Sequence, residues 1–210
     1  MYAPAAFAVS DEEAAAMLRS AGLGALVTGG PDGLFASHLP FLFDQAGARL
    51  IGHIAGANPH PEHAPAGSPA LIIFQDPGAY VSPSWYRAKR EHGRVVPTWN
   101  YEAIHVHGRI TWFKQPDRLR ALLDGLTDRF EGGRPEPWSI EDAPADYIET
   151  MLAGVTGVEI AIDRILAKRK LSQNRSEGDR LDVIGALSAS ASPADQHTAA
   201  RMQALERSSR

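Results

Sequence analysis

Residues 104–113 read IHVHGRITWF, and their alternation decides the predicted fold. Apolar side chains or glycine occupy the even positions, and polar side chains occupy the odd positions from His105 to Thr111. Because successive side chains of a β-strand point to opposite faces, one face is suited to a core and the other to a polar environment. The stretch therefore predicts a half-buried β-strand.

Similar alternation and short apolar runs recur on both sides of this strand. They predict further strands at Leu23–Thr28, Leu34–Phe43, Arg49–Ile54, Ala70–Gln75, Tyr80–Val81 and Val155–Ile165. Capping and proline signals predict helices from Ser10 to about Ser20, from Pro116 to about Phe130, from Pro144 to about Leu152, and after Ser192.

Tight turns join most of these strands, which favours antiparallel pairing and a small β-barrel with peripheral helices. A doubly wound parallel sheet is disfavoured, because the strands do not alternate regularly with long helices. We expect one barrel domain over residues 1–185. Residues 186–210 are predicted to form a polar linker and a C-terminal helix.

Composition narrows the class of protein further. The chain has 210 residues, and its 21 basic and 25 acidic residues give a net charge of −4, which argues against broad nucleic-acid affinity. It has no cysteine, which excludes disulfides, thiolate metal sites and a cysteine nucleophile. The N-terminus lacks signal-peptide features and no apolar run is long enough to span a membrane, so we expect a cytoplasmic protein.

Short blocks rich in Trp, Asn, Ser and Pro point to a ligand. They are Val81-Ser82-Pro83-Ser84-Trp85-Tyr86, Val96-Pro97-Thr98-Trp99-Asn100-Tyr101 and Lys170-Leu171-Ser172-Gln173-Asn174-Arg175. Proline fixes the local backbone, so the neighbouring aromatic and amide side chains point in defined directions. This pattern suits a planar, polar ligand better than a plain core.

With Ser37-His38-Leu39-Pro40, Gly52-His53, Ala57-Asn58-Pro59 and Pro137-Trp138, these blocks resemble the PaiB-type family of FMN-binding negative transcriptional regulators, in order and spacing. The resemblance covers nearly the whole chain, from Met1 to Gly185. It implies a split β-barrel related to pyridoxamine-phosphate-oxidase and flavin-reductase folds. It also implies a homodimer that binds FMN at the subunit interface.

The sequence departs from the family pattern in one segment. The family usually has Arg between the two alanines of its His-x-Ala-x-Ala-Asn-Pro segment, where this chain has Gly56. The aromatic residue that often follows Asn-Pro is replaced by His60-Pro61. Both changes would remove a contact to a phosphate or a ring.

The predicted cofactor-binding residues come from these blocks: His38, His53, Asn58, Ser82, Thr98, Trp99, Asn100, Tyr101, Lys170, Ser172 and Gln173. Trp99 or Tyr101 would stack on a flavin ring, and Thr98 or Asn100 would bond its polar edge. The alternative for this block is a core Trp with a turn-forming Asn. Ser82 could instead cap the helix that follows it.

Lys168-Arg169-Lys170 with Arg175 is the densest basic cluster in the chain. Lys and Arg form charge-assisted hydrogen bonds with phosphate. The resemblance favours a role for Lys170, Ser172 and Gln173 in cofactor binding or at the dimer interface. A solvated strand end and a weak, salt-sensitive DNA contact are the alternatives.

The eight histidines suggest metal or haem binding as a further possibility. His105 and His107 share a strand face, and His53, His60 and His63 cluster in sequence. No His-Glu-x-x-His or cysteine pattern accompanies them, so we expect no metal site. His38 and His53 are better candidates for orienting a ligand or for a dimer contact.

The sequence therefore predicts an FMN-binding regulator, with no catalytic residue assigned. No helix-turn-helix signature is present, so the regulator acts indirectly or through a basic patch formed by the dimer. One rival is a flavin-dependent oxidoreductase that uses NAD(P)H, in which the flavin would supply the chemistry. The other is a haem-binding protein of the same fold, with His53 or His105 as the candidate ligand.

Overall fold

The computed structural model describes residues 1–208. The strands are β1 (Leu23–Gly30), β2 (Gly33–Asp44), β3 (Arg49–Ala55), β4 (Pro69–Gln75), β5 (Ala79–Val81), β6 (Thr98–Phe113) and β7 (Val155–Lys170). The α-helices are α1 (Asp11–Ser20), α2 (His60–His63), α3 (Arg87–Glu91), α4 (Pro116–Glu131), α5 (Ala145–Ala153), α6 (Glu177–Ser188) and α7 (Pro193–Ser208).

The seven strands form one sheet in the order β4-β1-β2-β3-β7-β6-β5, and β4 also pairs with β6. The registered pairs β1–β2, β1–β4, β2–β3, β3–β7 and β5–β6 are all antiparallel. The additional pairing of β4 with β6 brings non-consecutive strands together, as expected for a barrel. The prediction of a mainly β protein with peripheral helices is confirmed.

All seven strands extend beyond their predicted limits, and two of them do so by five or more residues. The strand predicted at residues 104–113 begins at Thr98, and the strand predicted to end at Ile165 continues to Lys170. Asn100 therefore lies within a strand, which contradicts the alternative of a turn-forming Asn. The extensions place two of the motif blocks in or next to the sheet.

The chain divides into two compact units, and β6 and β7 contribute residues to both. Unit 1 consists of Met1–Ser10, Gln75–Ile104 and Ala167–Arg210, and unit 2 consists of Asp11–Phe74 and His105–Leu166. The division predicted along the sequence, a barrel domain over residues 1–185 followed by residues 186–210, stays a prediction. The structure places α7 within unit 1, where Ala199 and Met202 pack with Leu187 of α6 in a buried core.

Unit 2 contains most of the sheet and the amphipathic helix α4. Leu119, Leu122 and Leu126 lie on one face of α4 and pack against Phe113. Burying each such side chain contributes about 1.5–3 kcal/mol. Strands β6 and β7 approach closely at Gly108. A Cβ atom on this residue would lie 2.2 Å from the Ala161 carbonyl oxygen. Glycine is therefore required at this crossing of the backbones.

Candidate functional site

Three basic side chains of unit 1 form what we call the cation cluster: Lys168, Lys170 and Arg175. Lys170 Nζ donates hydrogen bonds to Thr98 Oγ1 and to the Trp99 carbonyl oxygen. Lys168 Nζ donates to the Tyr101 hydroxyl and lies 4.6 Å from the centre of its ring. The β6 residues predicted to bind a flavin thus lie beside the lysines of β7.

Lys170 lies near two further positive charges. Burial lowers the pKa of Lys170, and the positive charges of Lys168 and Arg175 lower it further. No carboxylate among residues 1–208 counters this effect on the pKa of Lys170. An anion placed here would relieve the mutual repulsion of the three cations.

Arg169, between the two lysines, has a different environment. Its Nε donates to Glu102 Oε1 at 2.5 Å, and Arg201 of α7 donates to the same carboxylate at 2.6 and 3.2 Å. The Glu102 side chain is 10% exposed. Burial raises the pKa of Glu102, but the hydrogen bonds from Arg201 and Arg169 outweigh burial and hold that pKa below its usual value. Arg169 is therefore a structural residue.

An exposed aromatic pair lies next to the point where Lys170 meets β6. The Trp99 side chain is 55% exposed and the Tyr80 side chain is 47% exposed. Their rings meet edge to face, with centroids 6.2 Å apart and an interplanar angle of 72°. Large aromatic side chains in the open suit a flat ligand, since stacking would remove their apolar surface from water.

Asn100 and Ser172, in contrast, are buried. The Asn100 side-chain amide donates to Ser172 Oγ at 2.9 Å, and Ser172 Oγ donates to Asn100 Oδ1 at 3.1 Å. Asn100 Nδ2 also lies 3.4 Å from Met202 Sδ of α7. Ser172 adopts a positive φ of 67°. These two predicted site residues support the backbone beneath the exposed surface and present no free polar group to it.

Gln173 and Ser82 also bond to the backbone around them. Gln173 accepts from the Leu171 N–H at 2.7 Å and donates to the Arg169 carbonyl at 2.6 Å, which fixes the chain where β7 ends. Ser82 accepts from the Ser84 N–H at 3.2 Å and begins a single 3₁₀ turn, Pro83–Trp85. The capping role considered for Ser82 matches this geometry.

The three remaining predicted residues lie in unit 2. His38 is exposed on β2. His53 is half-buried on β3; its Nδ1 has no hydrogen-bond partner among residues 1–208, and burial lowers its pKa. Asn58 donates to Ser37 Oγ at 3.1 Å and accepts from the His60 N–H at 3.0 Å, so its amide shapes a turn.

Sequence reasoning did not single out the buried centre of this network, which is His60. Its side chain is fully buried, and its Nε2 and Nδ1 each lie 2.9 Å from a hydroxyl, of Thr28 and Ser37 respectively. Burial lowers the pKa of His60 to about 4, with a smaller contribution from the charge of His63. The one signal in the sequence for this central role of His60 was that it stands where the family pattern often has an aromatic residue.

A cavity of about 210 Å³ adjoins Gly56 in unit 2. Its lining residues are Gly56, Asn58, Pro61, Glu62, Trp112, Phe113, Lys114 and Thr156. A Cβ atom on Gly56 would lie 3.0 Å from the Gly154 carbonyl oxygen, which is close but not prohibitive. The cavity therefore occurs where the family pattern has an arginine side chain.

Within residues 1–208, no group of three or more His, Cys, Asp or Glu side chains could hold a metal ion. Over the same residues, no helix combines the length and apolar character needed to cross a bilayer.

The residues of unit 1 fit FMN. The ligand needs cations for its phosphate and an aromatic surface for its ring, and the two lie together around Lys170 and Trp99. Thr98, which already bonds Lys170, adds a hydroxyl. Among the predicted residues, the structure therefore brings together Thr98, Trp99, Tyr101 and Lys170 at a surface and places Asn100, Ser172 and Gln173 as their support.

Comparisons with known proteins agree with this fit. Residues 1–164 match the family model described as "Putative FMN-binding domain". The chain is 34% identical over 206 residues to protease synthase and sporulation protein PAI 2 of Bacillus subtilis, which covers 97% of both chains. It is 33% identical to an uncharacterized protein of Aspergillus fumigatus, over 72% of this chain and 75% of that protein.

Solved structures share the fold. A conserved hypothetical protein of Mycobacterium tuberculosis superposes with a TM-score of 0.60 at 14% identity, over 84% of this chain and 95% of that chain. The FAD and heme binding protein of Mycobacterium smegmatis superposes with a TM-score of 0.57 at 20% identity, over 83% and 78% of the two chains. The split-barrel fold and FMN as the cofactor of the family are thereby confirmed, and the chain belongs to the PaiB-type family of FMN-binding domain proteins.

Proposed function

We propose that this protein binds FMN at the cation cluster of unit 1. The observation that carries the proposal is the position of Lys170, which bonds the Trp99 carbonyl beside the exposed Trp99 ring and lies near the positive charges of Lys168 and Arg175. Lys170 and Arg175 would hold the phosphate, and Trp99 would cover one face of the ring. Bound FMN would supply hydride or electron transfer, and the protein would set its position.

A titration with FMN tests this placement. We expect a shifted flavin absorbance spectrum and quenched flavin fluorescence when excess FMN is added to the purified protein. Lys170→Met should weaken binding, while Lys89→Met, which alters an exposed lysine of the same unit, should leave it unchanged. If the unaltered protein shows no spectral shift and no quenching with excess FMN, the proposal is overturned.

We further propose that the protein is a homodimeric, PaiB-like negative regulator in the cytoplasm, with the flavin bound at the subunit interface. Membership in the family and the exposed Tyr80–Trp99 pair support a dimer, and the absence of cysteine suits a reducing compartment. Sedimentation equilibrium tests the dimer, with a monomer at micromolar concentration as the opposing result.

A direct contact with DNA has weaker support. The net charge of −4 opposes it, and the cation cluster offers only three charges. If the dimer binds DNA through this cluster, a gel-shift at low salt should show a complex with promoter fragments that Lys170→Met weakens. Without a band at low salt, an indirect action on transcription remains the proposal.

An FMN-dependent oxidoreductase is the second candidate. It is favoured by the exposure of Trp99, because a ligand stacked there would remain open to a second reactant. Reduction of protein-bound FMN by NADH or NADPH, faster than that of free FMN, would support an enzyme. An unchanged rate would support the regulator.

Haem binding is the third candidate, and the unpaired Nδ1 of half-buried His53 is the observation in its favour. The Mycobacterium smegmatis protein of the same fold is named for binding both FAD and haem. A Soret band that disappears on His53→Gln but persists on His38→Gln would support a haem ligand at His53. A colourless protein after incubation with haem would exclude it. His105, the other candidate from the sequence, is tested in the same way.

A further inference from the structure

The cation cluster also has a chemical property that flavin binding does not require. The chain has four lysines: Lys89, Lys114, Lys168 and Lys170. Lys89 and Lys114 are exposed, Lys168 is buried, and Lys170 is half-buried. Lys170 is thus partly accessible and lies near two further cations, Lys168 and Arg175.

The contacts of Lys170 hold its amine in place. Nζ donates to Thr98 Oγ1 and to the Trp99 carbonyl oxygen, both on β6. Lys168 is held beside it by the Tyr101 hydroxyl, and the Arg175 guanidinium lies 4.8 Å from the centre of the Tyr86 ring. An amine with a fixed position and two neighbouring cations is arranged to meet an anionic reactant.

We propose that Lys170 is a nucleophilic amine that forms a Schiff base with small phosphorylated aldehydes, whose phosphate is held by Lys168 and Arg175. The neutral amine attacks the aldehyde carbon, and a carbon–nitrogen bond forms. The carbonyl oxygen leaves as water with the two protons that the amine nitrogen loses. The step needs no oxidant, reductant or further reactant.

The electrostatics of the site support this chemistry. An amine must be neutral to attack, and a lysine becomes neutral more readily when it is partly desolvated and lies near other cations. Burial first, and then the charges of Lys168 and Arg175, lower the pKa of Lys170. Binding a phosphate at those two cations would bring the aldehyde to the amine, which combines attraction with reactivity.

Reductive labelling tests the proposal with the three other lysines as internal references. The intact protein, free of flavin, is treated with glyceraldehyde 3-phosphate and cyanoborohydride, which reduces each Schiff base to a stable amine. Peptide mass spectrometry then gives the labelling rate at each lysine, with the terminal amine followed separately. We expect Lys170 to be labelled several-fold faster than Lys89 or Lys114, and its rate to reach half-maximum at a lower pH.

Labelling governed by exposure alone would give the opposite order, with Lys89 and Lys114 ahead of Lys170. That order would overturn the proposal. Unphosphorylated glyceraldehyde is the matched reagent, and its preference for Lys170 should be clearly smaller. An equal preference with both reagents would overturn the phosphate-binding role of the neighbouring cations.

Variants separate the neighbours from general effects on the fold. Arg175→Gln should slow phosphorylated labelling of Lys170 several-fold, while Arg94→Gln, an exposed change in the same unit, should not. Lys168→Met should act in the same direction as Arg175→Gln. Because Lys168 is buried, the Lys168→Met variant is used only if its thermal unfolding midpoint equals that of the parent. If the midpoint falls, the Arg175→Gln variant alone decides whether the neighbouring cations bind the phosphate.

The inference uses the same cations as the proposed flavin site but does not depend on flavin binding. If both hold, excess FMN should protect Lys170 from labelling and leave Lys89 and Lys114 unaffected. Fast labelling of Lys170 that FMN does not slow would support the reactive lysine and reject the placement of FMN at the cation cluster. Slow labelling of Lys170 together with FMN binding would reject the reactive lysine and keep the flavin site.

Discussion

Replacing Glu102 by Gln should destabilise the protein strongly, because its carboxylate is the shared partner of two arginines. Arg169 and Arg201 donate to it at distances of 2.5 to 3.2 Å, and its side chain is 10% exposed. Removing one partner of a buried ion pair typically costs about 3–5 kcal/mol, since the remaining charges are desolvated and unpaired. We expect the Glu102→Gln variant to lose free energy of unfolding in this range.

Urea unfolding at neutral pH measures this loss, and acidification checks its origin. The folded state holds the pKa of Glu102 below its usual value, because the hydrogen bonds from both arginines outweigh burial. A lowered carboxyl pKa contributes stability at neutral pH that is lost as the pH falls through the folded value. The difference between the parent and the Glu102→Gln variant should therefore shrink under acid conditions below the usual glutamate pKa.

Glu141 offers a matched control, since it also receives a hydrogen bond from an arginine, Arg120, at 2.6 Å. Its side chain is 72% exposed, so solvent and salt screen the pair. Glu141→Gln should leave the urea midpoint unchanged. Equal losses for Glu102→Gln and Glu141→Gln would refute the argument that burial makes the difference.

Two further predictions concern unit 2. The pKa of His60 is lowered to about 4, so the unfolded chain takes up a proton at this residue first as the pH falls from the usual histidine value. The free energy of unfolding should decrease over that interval, and His60→Gln should reduce this pH dependence in urea titrations. Arg129 donates to the Phe41 and Arg19 carbonyl oxygens at 2.6 and 2.7 Å. Arg129→Met should cost about 2–4 kcal/mol by leaving these carbonyls without their charged donor, and a loss of under 1 kcal/mol would contradict this.

The sequence predicted the sheet well where the buried face of a strand is apolar. Residues 104–113 follow that rule and form the second part of β6. The first part of β6 was not predicted as a strand, because its buried face carries Asn100 and Glu102. Those polar residues are compatible with burial only through partners at Ser172, Arg169 and Arg201, between 67 and 99 positions along the chain. A pattern in neighbouring residues cannot reveal partners that lie so far away in the sequence.

The roles of the candidate site residues could not be predicted from the sequence, for a related reason. The motif blocks indicated a region, but the roles of their members depend on exposure and on partners. Trp99 is open at the surface, whereas its neighbour Asn100 is fully buried. Ser82 and Gln173 satisfy nearby backbone groups. Only the structure distinguishes a residue that can meet a ligand from one that supports it.

The tripeptide Lys168-Arg169-Lys170 shows how one basic run acquires two roles. Successive residues of a strand point to opposite faces, so the central arginine and the two flanking lysines have different surroundings. Arg169 meets the buried carboxylate of Glu102, and its charge is balanced within the protein. Lys168 and Lys170 meet hydroxyl and carbonyl oxygens, which accept hydrogen bonds but carry no full negative charge. An anionic ligand would balance the positive charge of these two lysines, and phosphate is the group that both the flavin and the aldehyde proposals supply.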